Sequence, residues 1–180
     1  MGTCKPNQLS GSIPSNLGNT TQLLNFWVSE NQLSGIIPPS IGNCLLLKEV
    51  YLNENQFTGV MPQILVNLKS SVELDTCHNQ FTGVIPQSLS NCSSLLASAV
   101  INNKLLGIIR SSIGLLTNLS LLYLFENSMS EKIPSELGKC KSLAELQLND
   151  NKFEGEIPSK LGVLTSLTSL HLHNNHVKEC

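Results

Sequence analysis

The chain has 180 residues, a formal net charge of −2, 41% apolar side chains and 13% charged ones. That balance excludes a nucleic-acid binder, which needs a basic stripe, and no run of about 20 apolar residues is present to span a bilayer. The apolar share is enough to build a packed core.

In chain order, Met1 to Ser10 is polar and lacks the charged and apolar regions of a signal peptide. From there an asparagine returns every 24 residues without a slip, at Asn7, Asn31, Asn55, Asn79, Asn103, Asn127, Asn151 and Asn175. Seven equal intervals mean one structural unit copied end to end, with function to be sought on the surface that stacking creates. Two residues after each asparagine stands an apolar side chain: Leu9, Leu33, Phe57, Phe81, Leu105, Met129, Phe153 and Val177. Glycine follows at Gly11, Gly35, Gly59, Gly83, Gly107 and Gly155, and then proline at Pro14, Pro38, Pro62, Pro86, Pro134 and Pro158.

Leucines close each unit in an L-x-x-L-x-L-x-x-N pattern, as in Leu143, Leu146, Leu148 and Asn151. The L-x-L step has period two, so Leu146 and Leu148 point inward from a short strand while Glu145, Gln147 and Asn149 point outward. Stacked copies predict a parallel sheet with strands about 4.8 Å apart. The asparagine amide sits where the chain turns and can pair with turn backbone of its own and neighbouring coils, forming a ladder. Glycine serves a permissive turn and proline prevents a helix on the outer side, so little α-helix is expected.

The L-x-x-L-x-L-x-x-N pattern is that of a leucine-rich repeat solenoid, conventionally placed in the α/β class. The unit N-x-L-x-G-x-I-P-x-x-L-G, read in Asn31 to Gly42 and Asn151 to Gly162, resembles the plant-type repeat of receptor-like kinase ectodomains, over essentially the whole chain. Stretches such as Ser90 to Leu95 and Leu146 to Asn151 are similar to ectodomains of receptors for plant endogenous danger peptides. The resemblance implies a curved parallel sheet on a concave face, a 3₁₀ or irregular convex side and about seven repeats in a single array over 1–180. It also implies an extracellular setting, at the plasma-membrane face or in the apoplast, as part of a longer parent. The cysteine-bearing caps typical of the family are missing at both ends, and no kinase signature is present. The chain therefore reads as a piece of a larger ectodomain, and Leu170 and Leu172 at an uncapped end predict marginal stability in isolation.

Function is expected on the concave face. Taken along the chain, its outward strand positions are Asn25 and Trp27, Glu49 and Tyr51, Glu73 and Asp75, Ala97 and Ala99, Leu121 and Tyr123, Glu145 and Gln147, Ser169 and His171. The next outward pairs include Glu30, Glu54, Cys77, Ile101, Phe125, Glu126, Asp150 and His173. Carboxylates dominate this face, against a lone Lys5, and Trp27, Tyr51, Ile101, Leu121, Tyr123 and Phe125 add apolar anchors. The expected ligand-binding residues are Trp27, Glu49, Tyr51, Glu73, Asp75, Ile101, Leu121, Tyr123, Phe125, Glu126 and Glu145. The expected partner is an extended peptide carrying basic residues, or a protein ligand, with a co-receptor as second partner. The blander reading is that strands favour aromatics and acids keep the face soluble. A secreted leucine-rich repeat inhibitor of a microbial wall-degrading enzyme is the alternative function.

Other features carry less. Cys44, Cys92 and Cys140 share a column with Leu68, Leu116 and Leu164 and read as small buried hydrophobes. They stand two coils apart, about 10 Å, too far for a disulfide. Cys4 takes an inward position, Cys77 an outward one and Cys180 the end, so no disulfide framework is expected. His171 and His173 share a strand face with His176 nearby, but a third metal ligand is not evident, so neither metal nor cofactor is expected. Asp75, Cys77 and His78 include nucleophile and base types on an open sheet without oxyanion donors, so no enzyme is expected. Sequons at Asn19, Asn91 and Asn118 lie off the strands, where a glycan fits; three is about what this composition yields by chance. Arg110 replaces a proline, Glu131 a glycine, and Ser71 and Ser98 stand in leucine columns, each core serine forgoing methylenes worth about 0.8 kcal/mol apiece.

Overall fold

The computed structural model describes residues 8–61 and 72–178. Among the column residues, Cys4, Lys5, Asn7, Pro62, Leu68, Ser71 and Cys180 lie outside that range. Strands and 3₁₀ turns alternate, with no α-helix among the described residues. In chain order the strands are β1 (Ser10–Ser12), β2 (Asn25–Trp27), β3 (Gln32–Gly35), β4 (Glu49–Tyr51), β5 (Gln56–Phe57), β6 (Val72–Asp75), β7 (Thr82–Gly83) and β8 (Leu95–Ala99). They continue with β9 (Lys104–Gly107), β10 (Leu121–Tyr123), β11 (Ser128–Lys132), β12 (Glu145–Gln147), β13 (Lys152–Glu156), β14 (Ser169–His171) and β15 (His176–Lys178).

The even-numbered strands form one seven-stranded parallel sheet in the order of the repeats. Register follows the period: Leu122 faces Leu146 and Leu146 faces Leu170. Strands such as β10 and β12 have a buried centre between two more open neighbours, which is the L-x-L alternation in three dimensions. Opposite this sheet, 3₁₀ turns such as Pro39–Asn43 and Ser135–Lys139 begin just after the proline column. Proline has no N–H to offer a helix ladder, and its fixed φ suits the extended residue before a tight turn. This is a leucine-rich repeat solenoid.

The odd-numbered strands form a second parallel sheet system, β1-β3-β5 and β7-β9-β11-β13-β15, linked by a bridge between Val60 and Thr82. An irregular outer side would not predict it. Here partners are 22 residues apart, as in Ser10 with Gln32 and Glu154 with His176, rather than 24. Each coil therefore steps by two residues on this side, and the ladder asparagines use the same step. The Leu33 N–H donates to Asn55 Oδ1 at 2.9 Å, and the Phe57 N–H donates to Asn79 Oδ1 at 2.9 Å. The Asn79 Nδ2 donates to the Leu52, Thr76 and Cys77 carbonyls at 2.9, 3.3 and 3.1 Å. The pattern recurs through Asn175, which takes the Phe153 N–H at 2.9 Å and donates back to Leu148.

Between the sheets runs one continuous core of Leu, Ile, Val, Phe and Met, in which Phe57, Phe81 and Phe153 are fully buried. Each contributes about 2–3 kcal/mol of hydrophobic stabilisation. Phe57 and Phe81 stack at 6.3 Å between centroids. Cys44, Cys92 and Cys140 lie fully buried in the column where Leu116 and Leu164 are also buried. Burial pushes the Cys92 and Cys140 thiols up to about 11, which keeps them protonated and inert.

Val72 is fully buried and pairs with Leu95 through a register shift against β8, before Glu73 with Ala97 restores the ordinary step. Val72 thus supplies apolar bulk at the start of β6. Ser98 is buried with its hydroxyl unbonded. The glycine column takes positive φ, and Glu131 is held there too, at φ 66°. A Cβ in that region costs about 1–2 kcal/mol. Glu131→Gly is therefore expected to raise stability by about 1 kcal/mol in a denaturant titration; an unchanged or lower midpoint would show that no strain is stored there.

Candidate functional site: the concave sheet face

The even-numbered sheet presents its alternate side chains on one open face, so the site follows from the strand period. Trp27 on β2 is 59% exposed and stacks on Tyr51 of β4, with centroids 5.8 Å apart and planes within 12°. The Tyr51 hydroxyl donates to Glu73 Oε2 on β6 at 2.5 Å. The motif recurs further along the sheet, where the Tyr123 hydroxyl of β10 donates to Glu145 Oε2 of β12 at 2.7 Å. Both tyrosines lean toward the next repeat, and each fixes one carboxylate oxygen while leaving the other open.

The hydrogen bond to Glu73, burial and the neighbouring acids hold the Tyr51 phenol at about 12; burial and the Glu145 bond do the same for Tyr123. A raised phenol pKa favours the folded state at all pH below the ordinary value of 10.0, and that contribution fades as pH climbs toward about 12. The chain has only two tyrosines, so ultraviolet titration reads both directly. Phenolate should form near pH 12 in the folded chain and near 10 in urea, and a folded midpoint near 10 would contradict the tyrosine–carboxylate pairs.

Between the two motifs the face dips. A depression of about 200 Å³ lies over Ala97 and Ala99 of β8, with Glu73 and Asp75 on one side and Leu121 and Tyr123 on the other. Register sets this geometry. Ala97 pairs with Glu73 and with Leu121, and Ala99 pairs with Asp75 and with Tyr123. Asp75 Oδ1 accepts the Cys77 N–H at 3.0 Å, which orients its carboxylate.

The remaining expected residues lie at the rim. Ile101 and Phe125 are half-buried just past their strands, and Glu126 Oε2 accepts from Asn102 Nδ2 at 2.8 Å. Glu30, Glu54, Glu126 and Asp150 precede ladder asparagines with φ of 54–56°, so their carboxylates hang from the turn instead of the sheet. Asp150 is held below the usual carboxylate range, first by Asn174 and then by Asn149. Glu49 is on β4 beside Glu73. Cys77 departs from the outward placement that period two predicts. The strand has ended at Asp75, the chain bends, and Cys77 is buried with its Sγ accepting the Ile101 N–H at 3.3 Å. Burial and Asp75 push its thiol up, away from any nucleophilic role. Among the described residues the one ion pair is His173 with Asp150 at 4.0 Å, so the carboxylates of the strands carry no intramolecular cation there.

Asn19, Asn91 and Asn118 are exposed, at the ends of 3₁₀ turns or just past them. Asn118 differs in that its Nδ2 donates to the Ser93 carbonyl at 3.0 Å.

An open array of parallel strands with an unpartnered acidic and aromatic face is the architecture of a repeat recognition module. The Leucine Rich Repeat family profile matches residues 22–44, 46–68, 72–92 and 142–164, half the chain, and the protein belongs to that family. It is similar in structure to the ectodomain of the plant membrane receptor kinase GASSHO1/SCHENGEN3 from Arabidopsis thaliana, solved in complex with CASPARIAN STRIP INTEGRITY FACTOR 2. Identity is 37% and the TM-score 0.91, over 95% of this chain and 20% of that one. It is similar to PEPR1, solved with AtPEP1, at 39% identity and TM-score 0.78, over 95% of this chain and 28% of that one. It also matches the Arabidopsis receptor kinase HAESA, solved with the peptide hormone IDA and the co-receptor SERK1, at 30% identity and TM-score 0.82, over 95% and 33%. The chain thus spans a fifth to a third of these structures' length. A comparison with curated protein sequences finds no match. Among the described residues no helix is long and apolar enough to cross a membrane.

Proposed function

We propose that this chain is a ligand-binding stretch of a plant receptor-kinase ectodomain, one array whose concave face holds an extended peptide bearing basic residues. The observation that carries this reading is the row of strand carboxylates, Glu49, Glu73, Asp75 and Glu145, set among Trp27, Tyr51, Leu121 and Tyr123 with no cation paired to them among the described residues. Complementary charge steers such a ligand onto the face, and rigid aromatics supply contact area at low entropic cost. The solved complexes of similar ectodomains with peptides, and of one with a co-receptor, support peptide perception with a second receptor partner on the extracellular side. The neighbours give no support to the enzyme-inhibitor alternative. Asn19 and Asn91 offer exposed amides for glycans away from the concave face, and Asn118 is a poorer acceptor because its amide is engaged.

The test is surface plasmon resonance with the chain immobilised and a basic peptide in solution. Binding should weaken with salt, and a triple Glu49→Gln, Glu73→Gln, Glu145→Gln variant should lose about tenfold or more in affinity. No binding at high peptide concentration, or binding indifferent to the triple variant, would remove the reading.

A further inference from the structure

We infer that the depression over β8 is a specificity notch for a single arginine side chain, which fixes the register of the ligand on the concave face. This rests on the peptide-binding reading and adds to it a position and a residue type.

The notch exists because one repeat carries only methyl groups. At both outward positions of β8 the side chain is alanine, while the strands beside it carry Glu73 and Asp75 on one side and Leu121 and Tyr123 on the other. Two strand spacings, about 10 Å, separate those walls, wide enough for one extended side chain and too narrow for two. The resulting space is about 200 Å³.

Its chemistry is two-sided. The floor and one wall are apolar, made by Ala97, Ala99 and the Tyr123 ring. The other wall is anionic, and its carboxylates are already aimed. Asp75 Oδ1 is held by the Cys77 N–H, the Cys77 thiol bonds the same carboxylate, and Glu73 Oε2 is held by the Tyr51 hydroxyl, which leaves the Asp75 charge and Glu73 Oε1 for a newcomer. No cation is paired with either carboxylate among the described residues. An aliphatic stem over alanines, a flat cationic head against an aromatic ring and a fork of donors toward two carboxylates describe arginine. The guanidinium is planar, weakly hydrated and stacks on rings, whereas the lysine ammonium is a compact, strongly hydrated point charge. A neutral apolar side chain would leave both carboxylates facing it unpaired.

The test uses a peptide array in which every member carries one arginine in an uncharged extended background, with matched members carrying lysine or citrulline instead. These are bound to the intact chain and to two variants, Asp75→Asn and Ala99→Leu. The first keeps the acceptor for the Cys77 N–H and removes the charge. The second fills the notch from an exposed strand position. On the native chain, arginine members should bind about tenfold tighter than citrulline members and several-fold tighter than lysine ones. Both variants should erase that preference while still melting like the native chain. Peptide binding without an arginine preference, or a preference that survives both variants, would overturn the notch and leave the peptide-binding reading standing. Absence of binding by every member would overturn both.

Discussion

Replacing Asn79 by alanine is expected to destabilise the chain by about 2–4 kcal/mol, measured as a shift in denaturant midpoint at constant slope. The size follows from which groups lose their partner. The Phe57 N–H donates to Asn79 Oδ1 at 2.9 Å, and no water can replace that acceptor beside a fully buried phenylalanine. An orphaned buried donor costs about 1–3 kcal/mol. The carbonyls lose less, because each has a second donor. Leu52 O also accepts from Asn55 Nδ2 at 3.2 Å, and Thr76 O from Asn103 Nδ2 at 3.0 Å. That sharing is what joins individual turns into a ladder, since each ladder asparagine among the described residues bonds its own coil and the one before. Asn79→Asp should be no better tolerated than alanine. It keeps an acceptor for Phe57 but sets a charge against three carbonyl oxygens. Gln56→Ala, at an exposed position next to Phe57 in the preceding coil, should change stability by less than about 0.5 kcal/mol. Equal effects at Asn79 and Gln56 would mean that the ladder bonds contribute nothing.

The second large effect is expected at Gly138. This residue lies in the 3₁₀ turn Ser135–Lys139, where a Cβ would stand 2.5 Å from the Lys160 carbonyl oxygen and 2.9 Å from Lys160 Cβ. The obstacle is backbone of the next coil, which cannot swing aside as a side-chain end would. Gly138→Ala therefore has to push its own turn away from the one stacked on it, at about 2–3 kcal/mol. Gly162 holds the same place in the following repeat, and a Cβ there meets nothing within 4 Å. Gly162→Ala should be neutral or stabilise by up to about 1 kcal/mol through a less flexible unfolded chain. The matched pair separates coil contact from backbone conformation, because the residues share a local fold and differ in what lies above them. In the fourth repeat Ser90 occupies this column with its hydroxyl 2.7 Å from that of Ser112, so there the turns accommodate a side chain. Similar stabilities for Gly138→Ala and Gly162→Ala would show that the turns are not in close contact.

These contrasts mark how much of the fold was legible in the sequence. A period that never slips located every strand of the concave sheet, because inward leucines such as Leu146 and Leu148 can alternate with polar neighbours only in an extended segment. Proline after glycine announced the 3₁₀ turns. The second sheet was not legible, since its short Q-L-S-G segments pair through the stagger between coils, and a stagger of two residues is a property of the stack. The burial of Cys77 was hidden for a related reason. It sits just past the end of β6 where the chain bends, so period-two counting, which holds from Val72 to Asp75, fails there. On the concave face the composition was legible and the relief was not. Ala97 and Ala99 gave no signal of their own, and only the cross-strand register with Asp75 and Tyr123 turns these small residues into a notch.

The central claim, that the concave face receives a basic peptide, is tested most directly by the emission of Trp27. It is the chain's single tryptophan, stands 59% exposed and stacks on Tyr51 at the entrance to the carboxylate row. Titration with a basic peptide should shift its emission to shorter wavelength and saturate, with the midpoint moving to higher concentration as salt rises, while an acidic peptide of equal length leaves it unchanged. A cooperatively melting chain whose Trp27 emission ignores the basic peptide, or responds equally to the acidic one, would contradict the account.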